Sequence, residues 1–518
     1  MATAVEARTD APRRAPGGIG SAVAGIVAAA TGTALGELTA AIFAPESSPF
    51  AAIGGFLIDT APPWAKDAAI ALFGTADKIA LLIGIALVLL AVSAGAGLLE
   101  RVRPPSGRVV LALLGIAGVA AALSRANAPT GAWIPSAVAA AASVLLLSVL
   151  VRRSDPLLGP TEDASRRRFL ITAGIAAGVT IAAAIGATAV RAGRSAASAV
   201  REAIRLPVPA AAAPEVPAGA ELGIDGLAPV VTPNAQFYRI DTALVVPDIA
   251  PADWSLRIHG LVDREIVLRW DELLALPLEE SHTTLACVSN EVGGDLIGTA
   301  LWLGYPIREL LARAGVQEDA DMVLSRSIDG FTASSPLEAL TDDRNAILAV
   351  GMNGEPLPAE HGFPVRMVVP GLYGYVSATK WVTELEVTRF DRARAYWTDR
   401  GWSERGPVKL QSRIDVPRRG AAVDAGNRVI AGVAWQQHTG VAGVEVQVDE
   451  GPWRSATLAS AISDDTWVQW SIPWEATTGE HTVRCRATNA EGQTQTSERV
   501  GVVPDGATGW HEVSVSVR

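Results

Sequence analysis

At 518 residues the chain is longer than one hydrophobic core usually serves, so several structural units are expected. Its formal charge of -11, with no stripe of Lys and Arg, argues against a nucleic-acid partner, since phosphate binding needs a basic face. The mean hydropathy of +0.27 averages two unlike parts: Ala, Gly, Leu, Ile and Val dominate before about residue 200, while all six His and most of the Trp lie beyond it.

In chain order, the first elements are apolar runs at 18–43, 79–99, 109–123, 133–151 and 169–190. Four are long enough to cross a bilayer, and the shorter third run has Arg108 and Arg125 at its ends to reach the two interfaces. They predict five transmembrane helices, because buried helices of a soluble core normally keep a polar face. Glu37 is the one acid within them. Burying such a group at the bilayer centre costs about 3 kcal/mol, so its place near the outer end of the first helix predicts an interfacial position. The stretch PPWAKDAAIALF at 62–73 reads as a short amphipathic helix on the outer surface.

Arginine sets the orientation. Arg13 and Arg14 precede the first run, Arg101, Arg103 and Arg108 separate the second from the third, and Arg152, Arg153 and Arg166 to Arg168 separate the fourth from the fifth. These segments are expected in the cytoplasm, and an odd number of spans then puts everything after about residue 192 outside. Ser165-Arg166-Arg167-Arg168-Phe169-Leu170 reads equally as such a cytoplasmic cluster or as a twin-arginine-like export signal placed internally. No convincing cleavage site follows it, so the fifth helix is expected to remain as an anchor. The anchor holds neither His nor Cys, which excludes bis-His haem in the membrane, and no Cys-x-x-Cys-His exists for attached haem.

Residues 191–220 are rich in Ala, Pro and Arg and form a semi-extended tether. Beyond it TALVVP, WSLRIHGLV and EIVLRW read as strands, and WDELLAL and PIRELLARAG as helices, the second closing on Gly315. The mixture predicts an α+β domain. After about residue 406 short strands recur (RVIAGVAWQ, TWVQWSIPW, HTVRCRATN, HEVSVSV), with a hairpin turn at Asn489 to Gly492, and predict an immunoglobulin-like β-sandwich. The expected organisation is a transmembrane anchor at 1–192, a linker at 193–221, the α+β domain at 222–405 and the sandwich at 406–518.

Two cysteines, Cys287 and Cys485, allow one disulfide, which an exported domain can hold. A lone Cys in an apolar run is equally at home in a core. The setting of Cys287 narrows this. Cys287-Val288-Ser289-Asn290, then HGFPVRMVVPG at 361–371 and Lys380-Trp381, in that order, resemble the sulfite oxidase family of molybdopterin enzymes over about residues 230–518.

The resemblance implies molybdenum bound to molybdopterin, with Cys287 ligating the metal as a thiolate; a soft thiolate suits a high-valent metal and is deprotonated by it. Cys485 is then left as a buried strand residue. It further implies that Asn234, Phe237, Tyr238 and Arg239 belong to the first cofactor and pocket segment, with Arg239 able to hold an oxyanion. Asn290 would support the Cys287 loop by hydrogen bonds. His361, Arg366 and Lys380 would meet the pterin and its phosphate, and Gly371, Gly374 and Ser377 would lie along the cofactor. His282 is taken as structural. A cofactor made in the cytoplasm requires export of a folded domain, which favours the twin-arginine reading of 165–170.

Departures from the family bear on substrate. Gly371 to Lys380 is one residue longer than in animal and plant sulfite oxidases, so Tyr373, Tyr375 and Ser377 have no fixed counterparts. Glu291 and Val292 stand where sulfite oxidases have two arginines, and spacing from Trp397 puts Trp402 where the family has an active-site Tyr. Trp402 joins Cys287 and Arg239 as the expected catalytic set. An acid in place of a cation disfavours a small dianion, so a neutral or cationic S-oxide or N-oxide is expected, with sulfite as the alternative. Electrons would come from a separate carrier, the anchor would contact membrane lipids, and the sandwich could support a homodimer. A membrane-tethered scaffold without cofactor is the reading of another class, and it is disfavoured because Cys287, Asn290, His361, Arg366 and Lys380 are all present.

Overall fold

The computed structural model describes residues 18–44, 47–62, 65, 72–73, 77–125, 128, 130–154, 162–194, 201 and 203–518. The chain divides into two units, Met1–Ser195 and Ala196–Arg518. The arginines ahead of the first helix, the side chain of Arg166, and most of the surface helix expected over 62–73 lie outside the described residues.

The first unit is helical: α1 (Gly18–Phe43), α2 (Pro49–Thr60), α3 (Asp77–Val102), α4 (Ser106–Leu123), α5 (Ile134–Ser154) and α6 (Glu162–Arg194). All but α2 are long and apolar enough to cross a membrane. Their outward side chains are apolar too, as at Leu87, Ile116, Leu145 and Ile181, which suits hydrocarbon on the outside rather than water. α1 is the hub and packs on α3, α5 and α6. Small residues permit this: a Cβ on Gly25 of α1 would run into the Ser93 carbonyl of α3, and one on Gly97 of α3 into the Ser21 carbonyl of α1. Helix α2 was not expected from the sequence. Ser48 caps it, accepting from Ala51 N at 3.1 Å, and Pro49 fills its first turn. Glu37 Oε1 accepts from Phe50 N at 3.3 Å, so the one acid within α1 meets the N-terminal end of α2, where backbone N–H groups are otherwise unpaired.

After two 3-10 turns, Asn234–Gln236 and Pro251–Asp253, the second unit has β1 (Ser255–Gly260) and β2 (Ile266–Arg269), followed by α7 (Trp270–Leu274), β3 (Glu279–Ala286), β4 (Ile297–Pro306) and α8 (Ile307–Ala314). Then come β5 (Met322–Ser327), β6 (Thr332–Pro336), α9 (Glu338–Thr341), β7 (Ile347–Met352), β8 (Glu355–Pro356), β9 (Arg366–Val368), α10 (Gly374–Ser377) and β10 (Val382–Thr388). One sheet runs β2-β1-β10-β5-β6 and the other β3-β4-β7-β8, with β9 on β7. TALVVP is irregular: β1 already has β2 and β10 as neighbours, and Val245 of that segment is exposed.

The remaining strands are β11 (Gln411–Val416), β12 (Ala422–Val423), β13 (Gly426–Trp435), β14 (Val441–Val448), β15 (Arg454–Ser455), β16 (Thr457–Leu458), β17 (Val468–Ala476), β18 (Gly479–Asn489) and β19 (His511–Val517). They form two sheets, β11-β13-β17-β16 and β12-β19-β18-β14-β15. Alternate residues from both, including Ile430, Trp470, Ile472, Val483, Cys485 and Val515, make one core. Cys485 is fully buried there and both cysteines are free thiols, so the disulfide alternative is not realised.

Candidate active site

Strand β3 carries the chain to Cys287, whose N donates to Leu296 O at 2.9 Å. The chain then turns: Asn290 N donates to Cys287 O at 3.1 Å, and Asn290 Oδ1 accepts from Leu296 N at 2.9 Å, closing the loop across its base. Cys287 is buried, and burial pushes its thiol up; the backbone N–H and hydroxyl of Ser289, and the charge of Lys380, act in the opposite direction.

Cys287 opens on a cleft of about 850 Å³, counting its mouth, within the usual range for small-molecule sites. Phe237, Tyr238, Gly374, Arg366 and Lys380 line it together with Trp402. Arg366, on β9, is buried; its Nη1 donates to His361 O at 3.0 Å and its guanidinium lies 5.0 Å from the Trp302 ring centre. Burial lowers it to about 10, still charged at neutral pH. Lys380 Nζ lies 3.0 Å from Asp241 Oδ2 and donates to Glu360 O at 2.9 Å. Burial and the neighbouring arginines bring it down to about 8 against the pull of Asp241.

His361 closes the short 3-10 turn Ala359–His361 and is 2% exposed. Its Nε2 is 3.3 Å from Asn234 O, while Nδ1 is buried with no hydrogen-bond partner. Burial, with the charges of Arg366 and Lys380, holds its pKa down to about 4, so the ring is neutral. Phe237 meets both His361 and Trp302 edge-on, at 5.5 and 5.7 Å, and stacks on Tyr238 at 5.2 Å. Burial pushes the Tyr238 hydroxyl well above its ordinary range, so it stays protonated.

Not every expected residue reaches the cleft. Arg239 is exposed and pairs with Asp241 at 2.9 Å; it is Asp241, two residues on, that lines the cleft. Asn234 donates to Glu355 Oε1 at 2.6 Å and accepts from Asn353 Nδ2 at 2.8 Å, tying its turn to β7 and β8. Ser377 is buried and donates to Tyr373 O at 2.9 Å. Gly371 (φ 81°) faces His438, whose Cβ lies 2.9 Å from where its own Cβ would stand. Of the residues left without counterparts, Tyr375 lines the cleft and Tyr373 does not.

Glu291 corrects the substrate argument. It is exposed and absent from the cleft lining, because the turn after Asn290 carries the chain outward before Gly294 N returns to Glu291 O at 2.8 Å. The mouth is aromatic instead: Trp402 lies 6.0 Å from Trp397 and 5.8 Å from Tyr375, with Phe331 also in the wall. Asp241, Asp329 and Phe331 went unrecognised in the sequence. The last two sit at the β5–β6 turn and reach the cleft only through sheet pairing; for Asp241, its Arg-x-Asp spacing from Arg239 was the available signal.

Among the described residues no three His, Cys, Asp or Glu are grouped to hold a metal, so a metal at Cys287 would take its other ligands from elsewhere. A buried thiol and two buried cations on one cleft fit a metal carried by an anionic organic ligand, while His361, with its unpartnered Nδ1, packs on Phe237 and is not part of the cleft lining.

Residues 243–397 match the family described as oxidoreductase molybdopterin binding domain. The chain is 34% identical over 153 residues to the uncharacterized oxidoreductase YuiH of Bacillus subtilis, covering 30% of this chain and 74% of that one. With mitochondrial sulfite oxidase of Rattus norvegicus it shares 31% over 271 residues, 44% of this chain and 49% of the rat protein, so it spans about half the length of that relative. The chain belongs to the sulfite oxidase family of molybdopterin-dependent oxidoreductases. Among solved structures, the sulfane dehydrogenase SoxCD of Paracoccus pantotrophus aligns with 24% identity and a TM-score of 0.46 over 53% of this chain and 76% of that one.

Proposed function

We propose that this chain is a membrane-anchored, outward-facing molybdenum oxidoreductase that removes oxygen from an organic S-oxide or N-oxide. The convergence of Cys287, Arg366 and Lys380 on one cleft carries the molybdenum part of the reading, and the aromatic wall of the same cleft supports an organic oxide. Bound there, molybdenum-molybdopterin would supply two-electron chemistry with transfer of an oxygen atom. Cys287 would ligate the metal as a thiolate. Arg366 and Lys380 would hold the anionic part of the cofactor and Tyr238 would donate from its un-ionised hydroxyl, while the neutral His361, behind Phe237, keeps an unpartnered Nδ1 for a ring group that reaches it. Phe331, Tyr375, Trp397 and Trp402 give the substrate an apolar mouth that limits water. In the reductive direction the oxide takes two electrons and two protons and leaves as the reduced compound plus water, the electrons arriving from a separate carrier.

The arginine distribution supports placing the catalytic domain outside the cytoplasm, after folded export through the motif at 165–170. The two packed C-terminal sheets support an immunoglobulin-like sandwich over 406–518 that could mediate self-association. Sulfite is a second reading, favoured by the rat relative's activity and by the exposed position of Glu291. Steady-state assay separates the two. Methionine sulfoxide or amine oxides with a reduced dye should turn over well; efficient sulfite oxidation with a low KM, and no oxide reduction, would reverse the assignment.

A further inference from the structure

Thr284, three residues before Cys287, bonds to the C-terminal sheets' connections through all of its polar groups. Its N donates to Asp465 O at 3.0 Å, its carbonyl accepts from Gln437 Nε2 at 2.9 Å, and its hydroxyl oxygen accepts from Trp467 N at 2.8 Å while also meeting the Thr299 hydroxyl. Gln437 follows β13; Asp465 and Trp467 precede β17. On the other side of Cys287 the loop is held again. Arg413 of β11 donates through Nη1 to Gly294 O at 2.9 Å, and the ring of His511, on β19, occupies the space a Cβ on Gly293 would need. Both holding groups are fixed in turn: Arg413 by Asp415 at 2.6 Å, and His511 by Ile414 N, which donates to its Nδ1 at 2.9 Å.

We propose that the C-terminal sheets set the position of the Cys287 thiol, with Thr284, Gln437 and Arg413 as positioning residues. A domain serving only to extend the chain or to meet a partner would have no need of bonds to both flanks of one cysteine. A ligating sulfur does need them, because a metal site tolerates only small errors in ligand placement. The inference rests on the ligand role proposed for Cys287.

The test uses the full chain, first without cofactor. Alkylation of Cys287 by iodoacetamide is followed by mass spectrometry, with the fully buried Cys485 as the folding control. Thr284→Val orphans Trp467 N, and Gln437→Leu, at a side chain whose Oε1 has no partner, removes one bond to the strand. Each should raise the Cys287 rate by about tenfold, as expected for one lost buried hydrogen bond, while Thr284→Ser stays within about twofold of wild type. In the loaded protein the thiolate-to-metal absorption should shift in Thr284→Val and be restored in Thr284→Ser. If melting temperature falls in both variants while the Cys287 rate and the absorption stay put, the contacts are merely structural and the proposal is wrong. Should Thr284→Val expose Cys485, Gln437→Leu decides the matter. Retention of metal and bands in Cys287→Ser would instead remove the ligand role, an outcome separate from the alkylation result.

Discussion

Cys287 and Cys485 carry the same side chain in opposite surroundings. Cys485 is sealed in the core between the C-terminal sheets, and burial pushes its thiol up to about 12. Cys287 stands at a cleft beside Ser289 and within the influence of Lys380. Cys287→Ser should therefore abolish turnover, whereas Cys485→Ser should lower stability by about 1 kcal/mol in chemical denaturation and leave turnover intact. Equal loss of activity in both would contradict this. His361 gives a pH dependence. Its folded pKa of about 4 lies below the ordinary 6.5, so the unfolded chain binds its proton first. The cofactor-free chain should be most stable above pH 6.5 and lose about 3 kcal/mol as pH falls from 6.5 to 4, levelling below that. Urea titrations across that range should show a shallower slope for His361→Gln. At this scale the sequence exposed the residues whose chemistry is unusual in its setting, such as Cys287 and the cations at 366 and 380. It misled at Glu291 and Arg239, because one turn or one residue decides whether a side chain faces the cleft.

Elements were legible where composition alone dictates them. The apolar runs became α1 and α3 to α6 with shifts of a few residues, since a spanning helix is set by length and apolarity. Gly315 marks the end of α8 as expected, with φ 72° and its N–H returned to Leu311 O at 3.1 Å. A Cβ there would lie 2.6 Å from Asp263 Oδ2, so Gly315→Ala should cost about 1–2 kcal/mol, seen as a lower urea midpoint at unchanged slope. What composition does not dictate was missed. TALVVP has strand-forming residues but lies in no strand, and β11 (QSRIDV) is polar enough to hide its strand. Helix α2 begins at Ser48-Pro49, a helix-start signal, in a 12-residue stretch too short to stand out as a spanning run.

At the scale of the molecule, one chain carries an apolar helical unit and a unit that matches a molybdopterin-binding domain. The orientation argued from arginine makes a direct prediction: a reporter active only in the cytoplasm, fused after Gly193, should be silent, and activity there would overturn the odd span count. Replacing Arg166 to Arg168 by Lys should strand the catalytic domain inside while the first four spans still insert; unchanged protease accessibility from outside would leave only a charge cluster. The central claim is that Cys287, Arg366 and Lys380 hold a molybdenum-pterin group. Molybdenum and pterin analysis of the purified full chain tests it most directly. About one molybdenum and one pterin per chain are predicted for wild type, with the metal lost or its absorption bands changed in Cys287→Ser. A wild-type protein purified from a cofactor-producing host with neither molybdenum nor pterin would contradict it.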